Sequence, residues 1–141
     1  MQEIEINTDH IYFGKQACDA WADSLLCDED FKDENMLDAP ADTYGSCIVL
    51  IGTNMHYINK YLKRAMKLCP DMKPLIERLQ QKYSKVKEAL ESLIAFQGGY
   101  FYDKNRLLDK NFRTKVSEYV REIGKRYAKI ASVFAPSDYY D

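Results

Sequence analysis

Three stretches of this chain repeat an apolar residue at alternating steps of four and three, and no other feature constrains the fold as strongly. Tyr44, Ile48, Ile51, Met55, Ile58, Leu62, Ala65 and Cys69 form the first set. Met72, Ile76, Leu79, Tyr83, Val86, Leu90 and Leu93 form the second. Phe112, Val116, Tyr119, Ile123, Tyr127, Ile130 and Phe134 form the third, with one step of four where three was due. Such spacing puts each set on one stripe of an α-helix. A lone helix would leave its stripe in water, and each large apolar side chain withdrawn from water contributes about 1.5–3 kcal/mol. The expected fold class is therefore all-α: an antiparallel helical bundle with three long amphipathic helices and a shorter N-terminal helix.

The spacing predicts helices over 8–27, 43–69, 72–97 and 105–134. The first rests on Ile11, Gly14, Cys18, Trp21 and Leu25, with Thr8 or Asp9 as cap; Gly14 marks either a close approach to a neighbouring helix or a helix start just after it. Pro70 and Pro74 bracket a sharp turn, and proline is tolerated in a first helical turn. Gly98-Gly99 ends the third helix. The two short turns make consecutive helices antiparallel. The 141 residues read as a single domain, 1–141, with an acidic connection at 28–42 and a frayed C-terminal tail. Phe31, Met36 and Leu37 are the expected anchors of that connection. The core should contain Ile48, Ile51, Met55, Ile58, Leu62, Leu79, Val86, Leu90, Val116, Ile123 and Ile130.

Several functions find no residues to carry them. No apolar run is long enough to span a bilayer. The acidic start lacks a basic-then-apolar leader pattern, so a cytoplasmic location and no membrane partner are expected. The cysteines at 18, 27, 47 and 69 are far apart with no CxxC, which suits reduced core thiols. Neither His10 nor His56 belongs to HExxH or to a Glu-x-x-His pair. Asp19/Asp23, Glu88/Glu91 and Glu118/Glu122 each share a helix face, and paired carboxylates on facing helices bind magnesium in helical nucleotide pyrophosphohydrolases, but Glu88, Glu91, Glu118 and Glu122 flank the apolar stripes rather than interrupt them. Asp28 and Asp30 begin an EF-hand-like loop that fails at Lys32 and Asp33. There is no GxSxG and no phosphate-cradling glycine loop. No catalytic residue, cofactor or metal site is expected, and the chain reads as a non-enzyme.

Charge is the remaining signal. Residues 1–42 hold 12 acidic and 2 basic side chains, while residues 43–141 hold 10 acidic and 18 basic. Lys60, Lys63, Arg64 and Lys67 line one face of the second helix, and Arg121, Lys125, Arg126 and Lys129 cluster late in the fourth. The two helices run parallel, so these eight residues are expected near one end as a face for an anionic partner. Opposite fields attract, so residues 28–42 are expected beside that face.

The first functional expectation is a protein-interaction or assembly module, akin to a small subunit or accessory protein of a larger complex, or a homo-oligomer. Flanking Leu50, Tyr57, Tyr61, Leu75, Phe96 and Val120 widen the apolar arc toward a second contact surface. The alternative is a nucleic-acid-associated bundle whose basic face the acidic segment modulates. A metal-dependent helical hydrolase ranks last. Leu90→Ala should lower unfolding free energy by about 2–5 kcal/mol in urea titration. A loss under about half a kcal/mol would mean that the stripe faces elsewhere.

Overall fold

The computed structural model describes residues 14–134. Four α-helices carry the architecture: α1 (Gly14–Leu25), α2 (Asp38–Leu68), α3 (Lys73–Gln97) and α4 (Lys110–Ala131). Short 3₁₀ turns lie at Asp28–Phe31, Glu34–Met36, Pro70–Met72 and Lys104–Leu108. No strand occurs among the described residues. The first half-turns of the expected N-terminal helix, 8–13, and the tail at 135–141 lie outside the described residues.

Helix order in space follows from named contacts. Arg113 reaches the Leu25 carbonyl, Arg121 reaches Asp19, and Gly124 lies against Cys18, so α1 and α4 are antiparallel. Arg126 reaches the Lys85 carbonyl while Phe96 stacks on Phe112, so α3 and α4 are antiparallel too. The Pro70–Met72 turn reverses the chain between α2 and α3. α4 therefore packs between α1 and α3, and α2 packs along α3.

Two helix starts differ from the sequence expectation, each for a local reason. α2 begins at Asp38 rather than 43, because Pro40 occupies a first-turn position where no intrahelical N–H donor is needed. α4 begins at Lys110 rather than 105, because the Asp103 side chain caps the Lys104–Leu108 turn and the Asp109 side chain then caps α4 through the Asn111 amide at 2.9 Å. Gly98, at φ 91°, ends α3 in the left-handed conformation that glycine adopts freely.

The core follows the stripes with exceptions. Ile48, Met55, Leu62, Leu79, Val86, Leu90, Val116, Ile123 and Ile130 are buried. Ile51 and Ile58 are only half-buried. Both pack against the core from its edge, whereas Tyr44 near the start of α2 also meets Trp21 of α1. Cys69, Met72 and Phe134, the outermost stripe members, are exposed at helix ends. Among the flanking apolar residues, Val120 is buried between helices and Leu75 and Phe96 are half-buried, whereas Leu50, Tyr57 and Tyr61 stay exposed.

Close approach falls at Gly124 and not at Gly14. An added Cβ at Gly14 would meet nothing within 4 Å, whereas at Gly124 it would sit 2.8 Å from Cys18 Cβ. All four cysteines are free; Cys18 is buried, Cys47 half-buried, and Cys27 and Cys69 exposed. Burial pushes the Cys18 thiol up to about 11. A Gly124→Leu substitution has no room for its side chain unless α1 moves. It should raise the alkylation rate of Cys18 under native conditions toward that of exposed Cys27, read by mass spectrometry. Unchanged protection of Cys18 would contradict this packing.

Candidate interaction face

The acidic connection is fastened to the start of α4. Arg113 is buried; its Nη1 donates to the Leu25 carbonyl at 2.9 Å and its Nη2 to Asp28 Oδ1 at 2.9 Å. Lys110 Nζ donates to Asp28 Oδ2 at 3.1 Å. The Arg113 guanidinium carbon lies 4.6 Å from the Phe31 ring centroid, and Phe31 and Leu37 are buried. Met36, the third expected anchor, is exposed. Asp38 accepts from Lys104. Residues 28–38 therefore lie beside Lys104, Lys110 and Arg113, at the opposite end of the bundle from Lys60–Lys67. The expectation that they shield the α2 cations is thereby corrected. A buried guanidinium needs acceptors, and Asp28 and the end of α1 supply them, a stronger constraint than the diffuse attraction of exposed charges.

A polar cluster locks the same end. Tyr44 Oη donates to Gln97 Oε1 at 2.5 Å, Gln97 Nε2 donates to the Gly99 carbonyl at 2.7 Å, and Tyr102 Oη donates to the Ala41 carbonyl at 3.2 Å. Burial pushes the Tyr44 hydroxyl well above its ordinary value and Tyr102 up to about 12.

The eight expected cations divide into two groups. Arg121 pairs with Asp19 and Asp23 of α1. Arg126 pairs with Glu122 at 2.9 Å and donates to the Lys85 carbonyl at 2.7 Å. Lys60, Lys63, Arg64, Lys67, Lys125 and Lys129 have no acidic partner among the described residues. Arg78 and Lys82 of α3 belong with them and were missed. These eight gather at the end formed by the C-terminal turns of α2 and α4 and the N-terminal turns of α3. They do not form one continuous face, because α2 and α4 share no packed interface.

The carboxylate pairs are likewise engaged with cations. Asp19 and Asp23 meet Arg121, Glu88 and Glu91 meet Lys85 and Lys87, and Glu118 and Glu122 meet Lys115 and Arg126. No three His, Cys, Asp or Glu side chains converge as metal ligands among the described residues. His56 lines an open groove of about 290 Å³ between α2 and α3, with Asn59, Gln80 and Lys87. No helix among the described residues is long and apolar enough to cross a membrane.

The outer side of α2 carries a line of exposed apolar residues. Leu50, Tyr57, Tyr61 and Leu68 are 61, 64, 72 and 70% exposed. Their spacing of seven, four and seven puts them on one line of the helix, well away from buried Tyr44, Ile48, Met55 and Leu62. Lys60, Lys63, Arg64 and Lys67 run beside this line. Toward the start of α2, Ala39 and Thr43 continue it into a groove of about 630 Å³. Trp21, Phe31, Met36 and Pro40 also line the groove, with Glu29, Asp30 and Asp33 among its acidic residues. Comparison of the chain with protein-family models, with curated proteins and with solved structures finds no match.

The Asp28 clamp predicts a pH dependence. Its hydrogen bond from Arg113, then that from Lys110, holds the Asp28 carboxyl below its ordinary 3.8. A depressed folded-state value means that the stabilisation is present above 3.8 and lost as pH falls through the folded value. Asp28→Asn should lower the urea midpoint near neutral pH, and the difference from wild type should vanish well below 3.8. A difference that persists in strong acid would place its origin elsewhere.

Proposed function

We propose that the chain is a non-enzymatic protein-interaction and assembly module whose contact surface is the outer side of α2. The observation that supports it is the line Leu50, Tyr57, Tyr61 and Leu68, four large apolar side chains in register on a helix whose opposite side is already packed. Isolated exposed apolar residues are ordinary, but a contiguous set marks a contact. Tyrosine is enriched in such contacts because it offers area at low entropic cost along with a polar tip. Seven- and four-residue steps are those by which helices pair.

A second reading, a nucleic-acid-associated bundle, is supported by the eight cations gathered at the C-terminal end of α2 and α4 without an acidic partner among the described residues. Tyr57 and Tyr61, interleaved with Lys60, Lys63 and Arg64, would suit base stacking above a phosphate track. Exposed Leu50 and Leu68 favour a protein partner over this reading.

A photo-crosslinking residue at Tyr57 or Tyr61, with Glu118 as control, separates the two in cells that express the chain. The interaction reading predicts polypeptide adducts at 57 and 61 and none at 118. Adducts to nucleic acid alone would favour the second reading, and no adduct at either position would overturn both.

A further inference from the structure

The charge along α2 reverses about its own midpoint. Asp38 and Asp42 stand in its first turns, residues 43–59 contain no Asp, Glu, Lys or Arg, and Lys60, Lys63, Arg64 and Lys67 follow. Asp38–Leu68 is centred on Thr53. A segment that is acidic at one end, neutral in the middle and basic at the other complements an identical segment laid against it in reverse. In parallel, the four cations of one copy would meet the four of the other.

Shape points the same way. The groove between α1, the acidic connection and the start of α2 lies on the N-terminal continuation of the line that carries Tyr57, Tyr61 and Leu68. Its volume of about 630 Å³ could take large side chains, and Asp30 at its edge has no cationic partner among the described residues. Reversal about Thr53 lays Tyr61 of one copy near Thr43 of the other, and Leu68 near exposed Met36. It also brings Arg64 opposite Asp42.

We infer that two copies of this chain pair antiparallel through α2, the basic half of each helix seated on the acidic groove of the other. The pairing is isologous, so every contact occurs twice. This rests on the interaction reading of α2 and names its partner. A helix face 31 residues long covers roughly 46 Å by 10–12 Å, or about 1,000 Å² over both copies. That is near the lower limit for a specific interface, so the pair is reversible in the micromolar range.

Sedimentation velocity from about 1 to 200 µM tests it, a range that brackets interfaces of this size. Wild type should pass from the mass of one chain to that of two, and the midpoint should rise in concentration with added salt. Lys63→Glu/Arg64→Glu cancels the positive charge of the basic half, and Asp30→Lys/Asp42→Lys reverses two positions of the acidic end. Each variant alone should dimerise at least about tenfold more weakly, since every lost pair counts twice. Mixed in equal amounts, the two should form a heterodimer with an affinity at or above that of wild type, which also shows that both are folded. One-chain mass for wild type throughout, or no recovery in the mixture, overturns the pairing. If wild type stays monomeric while position 57 still crosslinks to a different polypeptide, the pairing fails and the interaction reading stands. If it stays monomeric and position 57 captures only nucleic acid, both fail.

Discussion

Arg113 decides where the acidic charge of this chain goes. A guanidinium buried at the first turn of α4 must find acceptors, and the ones within reach are the carbonyl at the end of α1 and the carboxylate of Asp28. The bonds to its two terminal nitrogens close α1 onto α4 and drape the connection over Phe31 and Leu37 toward the start of α2, while Nε stays without a partner among the described residues. Lys110 and Lys104 add exposed pairs along the way. The pairs are individually weak, but they sit on a path already fixed from beneath. The acidic segment is thereby used at one end of the bundle, and the cations of α2 at the other end go without partners from it.

The choice of neighbours for each helix has the second decisive effect. A bundle buries each stripe on its neighbours, and α4 has neighbours on two sides, which is why Val120, Ser117 and Gly124 are buried in addition to its stripe. Among the described residues α2 packs along α3, and Trp21 of α1 meets it near its beginning at Tyr44. Toward its far end Ile58 is half-buried and Tyr57, Tyr61 and Leu68 are in water. Cations in the same turns keep this face hydrated.

The helices were legible in the sequence because the apolar period is long and regular in three places. Their starts were less so: Asp103 and Asp109 both cap short segments by the same mechanism, and only the packing of Leu107 places the 3₁₀ turn between them. The start of α2 was placed at 43, past Pro40, although Pro40 sits where a helix accepts it. Of the cations, Arg126 carries its partner Glu122 one turn away, but the partners of Arg121 lie about a hundred residues distant on α1 and leave no local trace. Arg78 and Lys82 could have been found. Neither has an acid three or four residues to either side, the spacing at which a helix supplies ion-pair partners. Gly124 offered no sequence signal, since a glycine in mid-helix marks close contact only once the neighbouring helix is known.

The separation of charge along the bundle is the premise of both the cation cluster and the proposed pairing, and a single distance measures it. Nitroxides coupled at Glu34 and Arg64 through non-cysteine chemistry, examined by double electron–electron resonance at a concentration below self-association, report it directly. The rise of α2 between Asp38 and Arg64 puts them on the order of 40 Å apart. A narrow distribution near that value agrees with an acidic connection held at the start of α4. A population below about 20 Å, within reach of a segment folded back along α2, would mean that the connection covers the cations and would contradict the account.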